Sequence, residues 1–386
     1  MKNLSYQLII SSIFFLGCQK KTTFLEQIHI TTNEKISHVK SEIKIGIKAD
    51  EKKEDATIKT RGGYSINFPK KSYEIDLDNE LEFLGLPIDD DWILNANFID
   101  KTFLRHVISY EIFQKMNRYN ISPKTKHFEL FINENYQGLY ILMEKMDKST
   151  LKVKSQDSTS FIFKDPHIFR KNYTNIIPQK KNNFHQQTFP KITDSNKNNI
   201  IDEIRDFIIN SNDSLFEEKI TQTFDIDNII DWHLLLWLTN NSDGILKNFY
   251  LYKVDKNTLV RISPWDYDHS FGRDGDNELN MNERKININR SILFSRLMKY
   301  DWYKRNLKER WIELNDKNIL SAKGVKMLII NRYEKLEEYI MRNNEKWPVN
   351  HSIYYDHNNS NQEINIMLNF IDKRHSEINN YFYKNK

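Results

Sequence analysis

Apolar and polar residues alternate through residues 28–47, at Ile28 and Ile30 and again at Ile43, Ile45 and Ile47. A period of two puts every second side chain on one face, so this stretch predicts strands. Residues 72–77 repeat the pattern, with Tyr73, Ile75 and Leu77 sharing a face. Residues 127–132 and 137–143 flank Asn133-Glu134-Asn135-Tyr136 and predict a hairpin. In between, the period changes. Leu104, Val107, Ile108, Ile112 and Phe113 recur at helical spacing, which predicts a helix to about Met116 with Asp100 as its N-cap. Residues 147–199 lose the pattern and fill with Lys, Asn, Gln and Ser. They read as a long insertion or lid with one strand at 160–164. From Ile200 the helical spacing returns in Ile201, Ile204, Phe207 and Ile208. Residues 229–238 are apolar nearly all round, the mark of a buried helix. Strands at 249–254 and 258–263 follow, joined by Asp255-Lys256-Asn257, and from Ser291 the chain is mostly helical. No internal repeat is present. The pattern predicts an α+β fold with a strand-bearing N-terminal lobe over 28–146, the polar insertion at 147–199, a mainly helical C-terminal lobe over 200–386, and a cleft between the lobes.

The start of the chain has another character. Lys2 precedes an apolar run over residues 4–16, and Gly17 and Cys18 follow. A membrane-spanning helix needs roughly 20 apolar residues. The shorter run has the shape of a signal-peptide core ending in a small residue. Residues 1–17 therefore read as a signal peptide, with cleavage before Cys18, lipid on its thiol, and residues 18–27 as a tether. A Sec signal with an incidental cysteine is the alternative. Cys18 is the only cysteine, and one thiol cannot close an internal disulfide. This predicts an exported bacterial lipoprotein held at the outer membrane or cell surface.

Composition narrows the class further. Hydrophobic residues make up 39 % and aromatics 13 %, enough for a large core. The net charge is only +4, and the lysines lie scattered among Asn and Asp, so nucleic acid is not an expected partner.

Candidate chemistry concentrates between Asn241 and Asp268. Asp243 and Asn248 are separated by four residues, then comes the hairpin, then Pro264-Trp265-Asp266-x-Asp268. Folding that hairpin sets Phe249 opposite Ser263 and brings Asn248 and Asp266 to its open end. Asp243 enters the same place from the end of the buried helix. Carboxylates and an amide oxygen are the hard ligands that Mg²⁺ prefers. Protein kinases carry a catalytic Asp, an Asn after four intervening residues, a hairpin and a metal-binding Asp in this order. The competing reading is structural, with Asp243 capping a helix end and Asp266 and Asp268 solvating a loop.

Further segments carry a resemblance. Arg61-Gly62-Gly63-Tyr64-Ser65, Phe68-Pro69-Lys70-Lys71-Ser72-Tyr73, Asp91-Trp92-Ile93-Leu94 and residues 100–105 occur in order. Asn133-x-x-Tyr136-x-Gly138-x-Tyr140-x-x-x-Glu144 and the stretch from Asp243 to Asp268 complete the set. The sequence resembles the CotH family, spore-coat-type atypical protein kinases also found as secreted or surface domains. The resemblance implies a two-lobed, atypical protein-kinase-like fold that binds ATP with Mg²⁺ or Mn²⁺ between its lobes and phosphorylates Ser or Thr of an acceptor protein. Asp243 would take the acceptor proton, and Asn248 and Asp266 would hold metal with Asp268 sharing it. Gly62 and Gly63 would lie over phosphates, where missing side chains allow close approach. Arg61 would meet phosphate or brace that loop. Lys70 and Lys71 point to opposite faces of an extended segment, so one can reach the phosphates. Lys71, on the face of Tyr73, Ile75 and Leu77, is the choice. Glu144 would serve the nucleotide side or a surface ion pair, and Arg105 an ion pair between lobes in preference to contact with substrate. Two other readings use the same residues: a surface binding or adhesion module without turnover, and a metal-assisted hydrolase built on Asp266 and Asp268.

Overall fold

Seven strands of the N-terminal region close on themselves in the computed structural model, which describes residues 24–47, 52–171, 186–191, 200–273, 286–349 and 358–384. Cys18 and the apolar run before it lie outside the described residues. The strands are β1 (Gln27–Thr31), β2 (Ser41–Ile47), β3 (Glu54–Arg61), β4 (Ser72–Leu81), β5 (Asp89–Asn95), β6 (Thr125–Ile132) and β7 (Asn135–Glu144). They run in the order β1-β2-β3-β4-β5-β7-β6, and a parallel pairing of β1 with β6, Ile28 opposite Leu130, seals the barrel. The period-two pattern dictates what fills it: Ile28, Ile30, Ile45, Ile58, Ile75 and Trp92 point inward, each at most 1 % exposed.

β7 is buried on both faces. Tyr140 and Leu142 face the barrel interior, and Leu139, Ile141 and Met143 pack into a second, larger core shared with the helices. Its unbroken apolar run is the signature of a strand with no wet side. The helices are α1 (Arg105–Met116), α2 (Ile200–Asn210), α3 (Asp213–Thr223), α4 (Ile226–Thr239), α5 (Ile292–Leu297), α6 (Asp301–Asp316), α7 (Ala322–Lys346) and α8 (Ser360–Lys384). A second sheet, in the order β11-β10-β8-β9, is built from β8 (Phe161–Lys164), β9 (Gln187–Phe189), β10 (Phe249–Lys253) and β11 (Arg261–Pro264). The fold is mixed α+β, as expected. The polar stretch at 147–199 supplies two of these four strands.

α4 is buried from Asn228 to Thr239. Asp225 caps its start, accepting a hydrogen bond from Asn228 N, and Asn240 ends it in the left-handed region at φ 54°. That reversal delivers residues 241–248 to the site. Two local expectations are corrected. α1 begins at Arg105, so Asp100 is not its N-cap residue. The Asp100 carboxylate instead accepts from Thr102 N at 3.0 Å and Arg105 N at 2.9 Å, ordering the approach to the helix. In the hairpin, Phe249 faces Pro264 and not Ser263. The turn consumes more chain than expected, because Thr258 Oγ1 accepts from Val254 N and Asp255 N, and Val260 N donates to Thr223 O.

Two buried networks join barrel and helices. Lys70 Nζ donates to Ala96 O and Asn343 Oδ1, both at 2.8 Å, and to Leu139 O. Asn343 lies on α7, where it meets Gly138 of β7. At Gly138, φ is 112° and a Cβ would come within 2.5 Å of Asn343 Oδ1, so only glycine fits. Arg105 is buried between Asp100 (2.5 Å) and Glu363 of α8 (3.0 Å), and Arg273 Nε donates to the same Glu363 carboxylate at 2.8 Å.

Candidate active site

A cleft of about 400 Å³ opens between the barrel rim and the second sheet. Its barrel side is the turn after β3, with Arg61, Gly62, Gly63 and Phe68, and the segment 95–99 that follows β5. Gly62 has φ 132°, and a side chain there would collide with Ser65 Oγ. Its floor is the α1 pair His106 and Tyr110. Lys164, Asp165, Lys247, Asn248, Trp265, Asp266 and Asp268 form the far side.

Three residues of that far side, none of them glycine, hold left-handed backbone: Asp165 at φ 48°, Asn248 at 62° and Asp266 at 59°. Such conformations cost about 1–3 kcal/mol each and persist only where the surroundings fix them. Here the fixing bonds are visible. Asn248 N donates to Asp165 Oδ1 at 2.8 Å, Asp165 N to Phe249 O at 2.9 Å, Trp265 N to Asn248 O at 3.0 Å, and Asp266 N to Tyr110 Oη at 3.0 Å. The Asn248 amide donates to Asp266 O at 3.2 Å, which leaves its own Oδ1 as an acceptor.

His106, Asp266 and Asp268 offer ligand atoms within 4.8 Å of one another. The hydrogen bonds divide their roles. A backbone N–H can only donate, and Tyr267 N donates to His106 Nδ1 at 2.9 Å. The neutral ring therefore carries its proton on Nε2, which lies 4.0 Å from Asp266 Oδ1. At that distance Nε2 faces the carboxylate without a direct hydrogen bond. Asp268 Oδ1 is buried without a hydrogen-bond partner, a state that costs about 1–3 kcal/mol. Asp266 is crowded too. Burial, then the neighbouring Asp268 charge, pushes its carboxyl above the usual range, although 52 % of its side chain faces the open cleft. Burial raises Asp165 as well. Asn248 Oδ1, Asp266 and Asp268 are an all-oxygen set with one orphaned acceptor and excess negative charge, which fits Mg²⁺ or Mn²⁺.

Positive charge also lines the cleft, from Arg61 on the barrel side and from Lys164 and Lys247 on the far side. The Trp265 ring has the Arg61 guanidinium 5.9 Å from its centre and Lys164 Nζ 5.7 Å from it. Lys247 Nζ pairs with Asp243 Oδ2 at 2.9 Å.

A sequence profile described as CotH kinase protein matches residues 58–378. The chain belongs to the CotH kinase protein family. It is also similar to the inner spore coat protein H of Bacillus subtilis (strain 168), 24 % identical over 300 residues that cover 76 % of this chain and 80 % of that relative.

Of the residues singled out by the CotH resemblance, Arg61, Gly62, Gly63, Asn248, Asp266 and Asp268 line the cleft. Asp243 sits beside it through Lys247. Lys71 and Glu144 do not line it. Lys71 precedes β4, so face parity along that strand does not apply, and its ammonium curls back to Ile66 O at 2.8 Å and Phe68 O at 2.6 Å. It braces the loop over the cleft. Lys70 reaches the wall, but its ammonium is turned inward and burial holds it well below the usual lysine range. Glu144 ends β7 opposite Trp92, where Oε2 accepts from Lys124 N at 2.7 Å. Arg105 makes the ion pair expected of it. Sequence reasoning missed His106, Tyr110, Lys164 and Asp165. The last two had a signal, a strand ending in Lys-Asp-Pro within a stretch that otherwise reads as loop.

Proposed function

We propose that the chain is an ATP-dependent protein kinase, exported and anchored through Cys18, that phosphorylates Ser or Thr of an acceptor protein. One observation carries the reading: the glycine turn with Arg61 on the barrel side, and Lys164 with the oxygen set of Asn248, Asp266 and Asp268 on the far side, line a single cleft. In this reading the barrel serves as the N-terminal lobe and the helical part as the C-terminal lobe of a kinase-like arrangement.

Phosphoryl transfer asks a protein for positioning and charge neutralisation more than for covalent chemistry. A divalent cation on Asn248, Asp266 and Asp268 would supply neutralisation of the phosphate oxygens. Arg61 binds phosphate from the barrel side and Lys164 from the end of β8, and the backbone at Gly62 and Gly63 closes over it. Tyr110 Oη, accepting from Asp266 N, keeps that residue in place. Asp243 orients the acceptor hydroxyl and takes its proton as the oxygen bonds to the terminal phosphorus and the bond to ADP breaks. Lys247, paired with Asp243 at 2.9 Å, holds that carboxylate in place.

The test uses the purified chain without its first 21 residues, with labelled ATP and Mn²⁺ or Mg²⁺. Label should appear on the protein or on added acceptor, and Asp266→Asn should abolish it. Hydrolysis of ATP without labelled protein would favour the hydrolase, and no nucleotide-dependent stabilisation would favour a binding module.

A further inference from the structure

Two arginines stand beside Asp243 and outside the cleft. Arg290 Nη1 donates to Ser242 O at 3.4 Å, one residue before Asp243. Arg170 forms an isolated antiparallel bridge with Ser291, which places it next to Arg290 across the two segments. The backbone at Arg170 is pinned, because the Arg205 guanidinium donates to its carbonyl at 3.3 Å. The Arg170 side chain reaches a neutral partner, Nε donating to His167 Nδ1 at 3.1 Å.

The nearby carboxylate is Asp243, and Lys247 already holds it. Among the described residues neither Arg170 nor Arg290 has a carboxylate within ion-pair reach. Burial first, and the charge of Arg290 next, lower the basicity of Arg170. Lys247, Arg170 and Arg290 thus gather near one carboxylate, an arrangement that favours a further anion. A guanidinium fork suits a carboxylate or a phosphoester better than an ammonium does.

Position decides which anion. Arg61 and Lys164 line the cleft, whereas Arg170 and Arg290 do not. They flank the residue assigned to the acceptor hydroxyl, so their ligand arrives with the acceptor and not with the nucleotide. We infer that the acceptor is an anionic segment, with an acidic or already phosphorylated side chain close to the target hydroxyl, read by Arg170 and Arg290.

This inference rests on the kinase reading for the word acceptor, and a binding measurement separates the two. Fluorescently labelled serine peptides flanked by Glu, by phosphoserine, by Gln or by Lys are titrated with the protein at low salt, and anisotropy is recorded. The Glu and phosphoserine peptides should bind about 10-fold or more tighter than the Gln peptide, as expected where charge complementarity sets specificity. The margin between them tells which anion is preferred. Arg170→Gln with Arg290→Gln should erase the difference, and Arg170→Lys with Arg290→Lys should restore part of it. Stabilisation by Mn²⁺ and ATP should stay unchanged in both double variants. Equal binding of all four peptides, a preference that survives the Gln variants, or a loss of nucleotide binding instead would overturn the inference. Label transfer from ATP is followed in the same samples. Anion-selective binding without transfer removes the kinase reading alone, and transfer without anion selectivity removes this inference alone.

Discussion

The backbone N–H of Asn248 donates to the Asp165 carboxylate at 2.8 Å. That bond ties the first residue before β10 to the end of β8, so part of the polar stretch shapes the cation side of the cleft. Asp165→Asn keeps an acceptor for the bond and removes a charge, while Asp165→Ala removes both. Asp165→Ala should lose about 1–3 kcal/mol of stability, the cost of an orphaned buried donor. Asp165→Asn should lose less. Denaturant midpoints compare them, and equal losses would mean that the charge, not the bond, holds Asn248.

Asp266 and Asp243 should fail differently. Asp266→Asn takes a full negative charge from the oxygen set, so Mn²⁺-dependent nucleotide binding and label transfer should both fall. Asp243→Asn should leave nucleotide binding nearly intact while transfer drops by about 10²-fold or more, the scale of losing a positioned base. Calorimetric titration and labelling on both variants make the comparison. Wild-type transfer by Asp243→Asn would remove the role given to that residue.

The phosphate-facing lysine should be Lys164. A ligand that binds only the native state raises its melting temperature by mass action. The rise produced by ATP with Mn²⁺ should shrink in Lys164→Ala. Lys71→Ala should lower the melting temperature without ligand, because two carbonyls of the loop lose their donor, and should keep more of the rise. The reverse ranking would return the phosphate contact to Lys71.

Asp76 and Asp91 face each other across β4 and β5 and give a pH dependence of stability. Burial, then the hydrogen bond to Asp76, pushes the Asp91 carboxyl up to about 7. Asp76 is held down at about 2 against its burial by Asp91 and Lys40. A carboxyl with a raised folded value binds its proton more tightly when folded, so its contribution is present in acid and lost as pH rises through about 7. Asp91→Asn should therefore melt above the wild type at about pH 8, and the gap should close toward about pH 5. A gap that widens in acid would reverse the assignment.

Anchoring rests on the sequence alone. Cys18→Ser should abolish incorporation of labelled fatty acid and move the protein out of the membrane fraction. Continued labelling of that variant would place the lipid elsewhere.

Legibility followed periodicity. The barrel strands β1, β2, β4, β6 and β7 could be read, as could the all-round apolar α4, because burial imposes those patterns directly; β3, with only Ala56 and Ile58 turned inward in alternation, and β5 were not read. Closure of the barrel could not, since pairing of β1 with β6 joins residues about a hundred positions apart and leaves no local mark. The cation side was legible because Asp243, Asn248 and Asp266 are short-range in sequence. The barrel side was less so. The choice between Lys70 and Lys71 turned on whether the chain was already a strand at residue 71, and the 3-10 turn just before β4 decided otherwise. His106 and Tyr110 sit on a helix buried nearly all round, where a polar residue facing the cleft looks like one facing the core.

The parallel seam between β1 and β6 leaves the N-terminal sheet with no row of unpaired backbone groups. A free strand edge is a template on which another chain can add. Among the described residues that opportunity lies in the second sheet, whose outer strands β9 and β11 span three and four residues. Assembly of copies by strand addition would thus have to start next to the cleft, where it would compete with whatever the cleft binds.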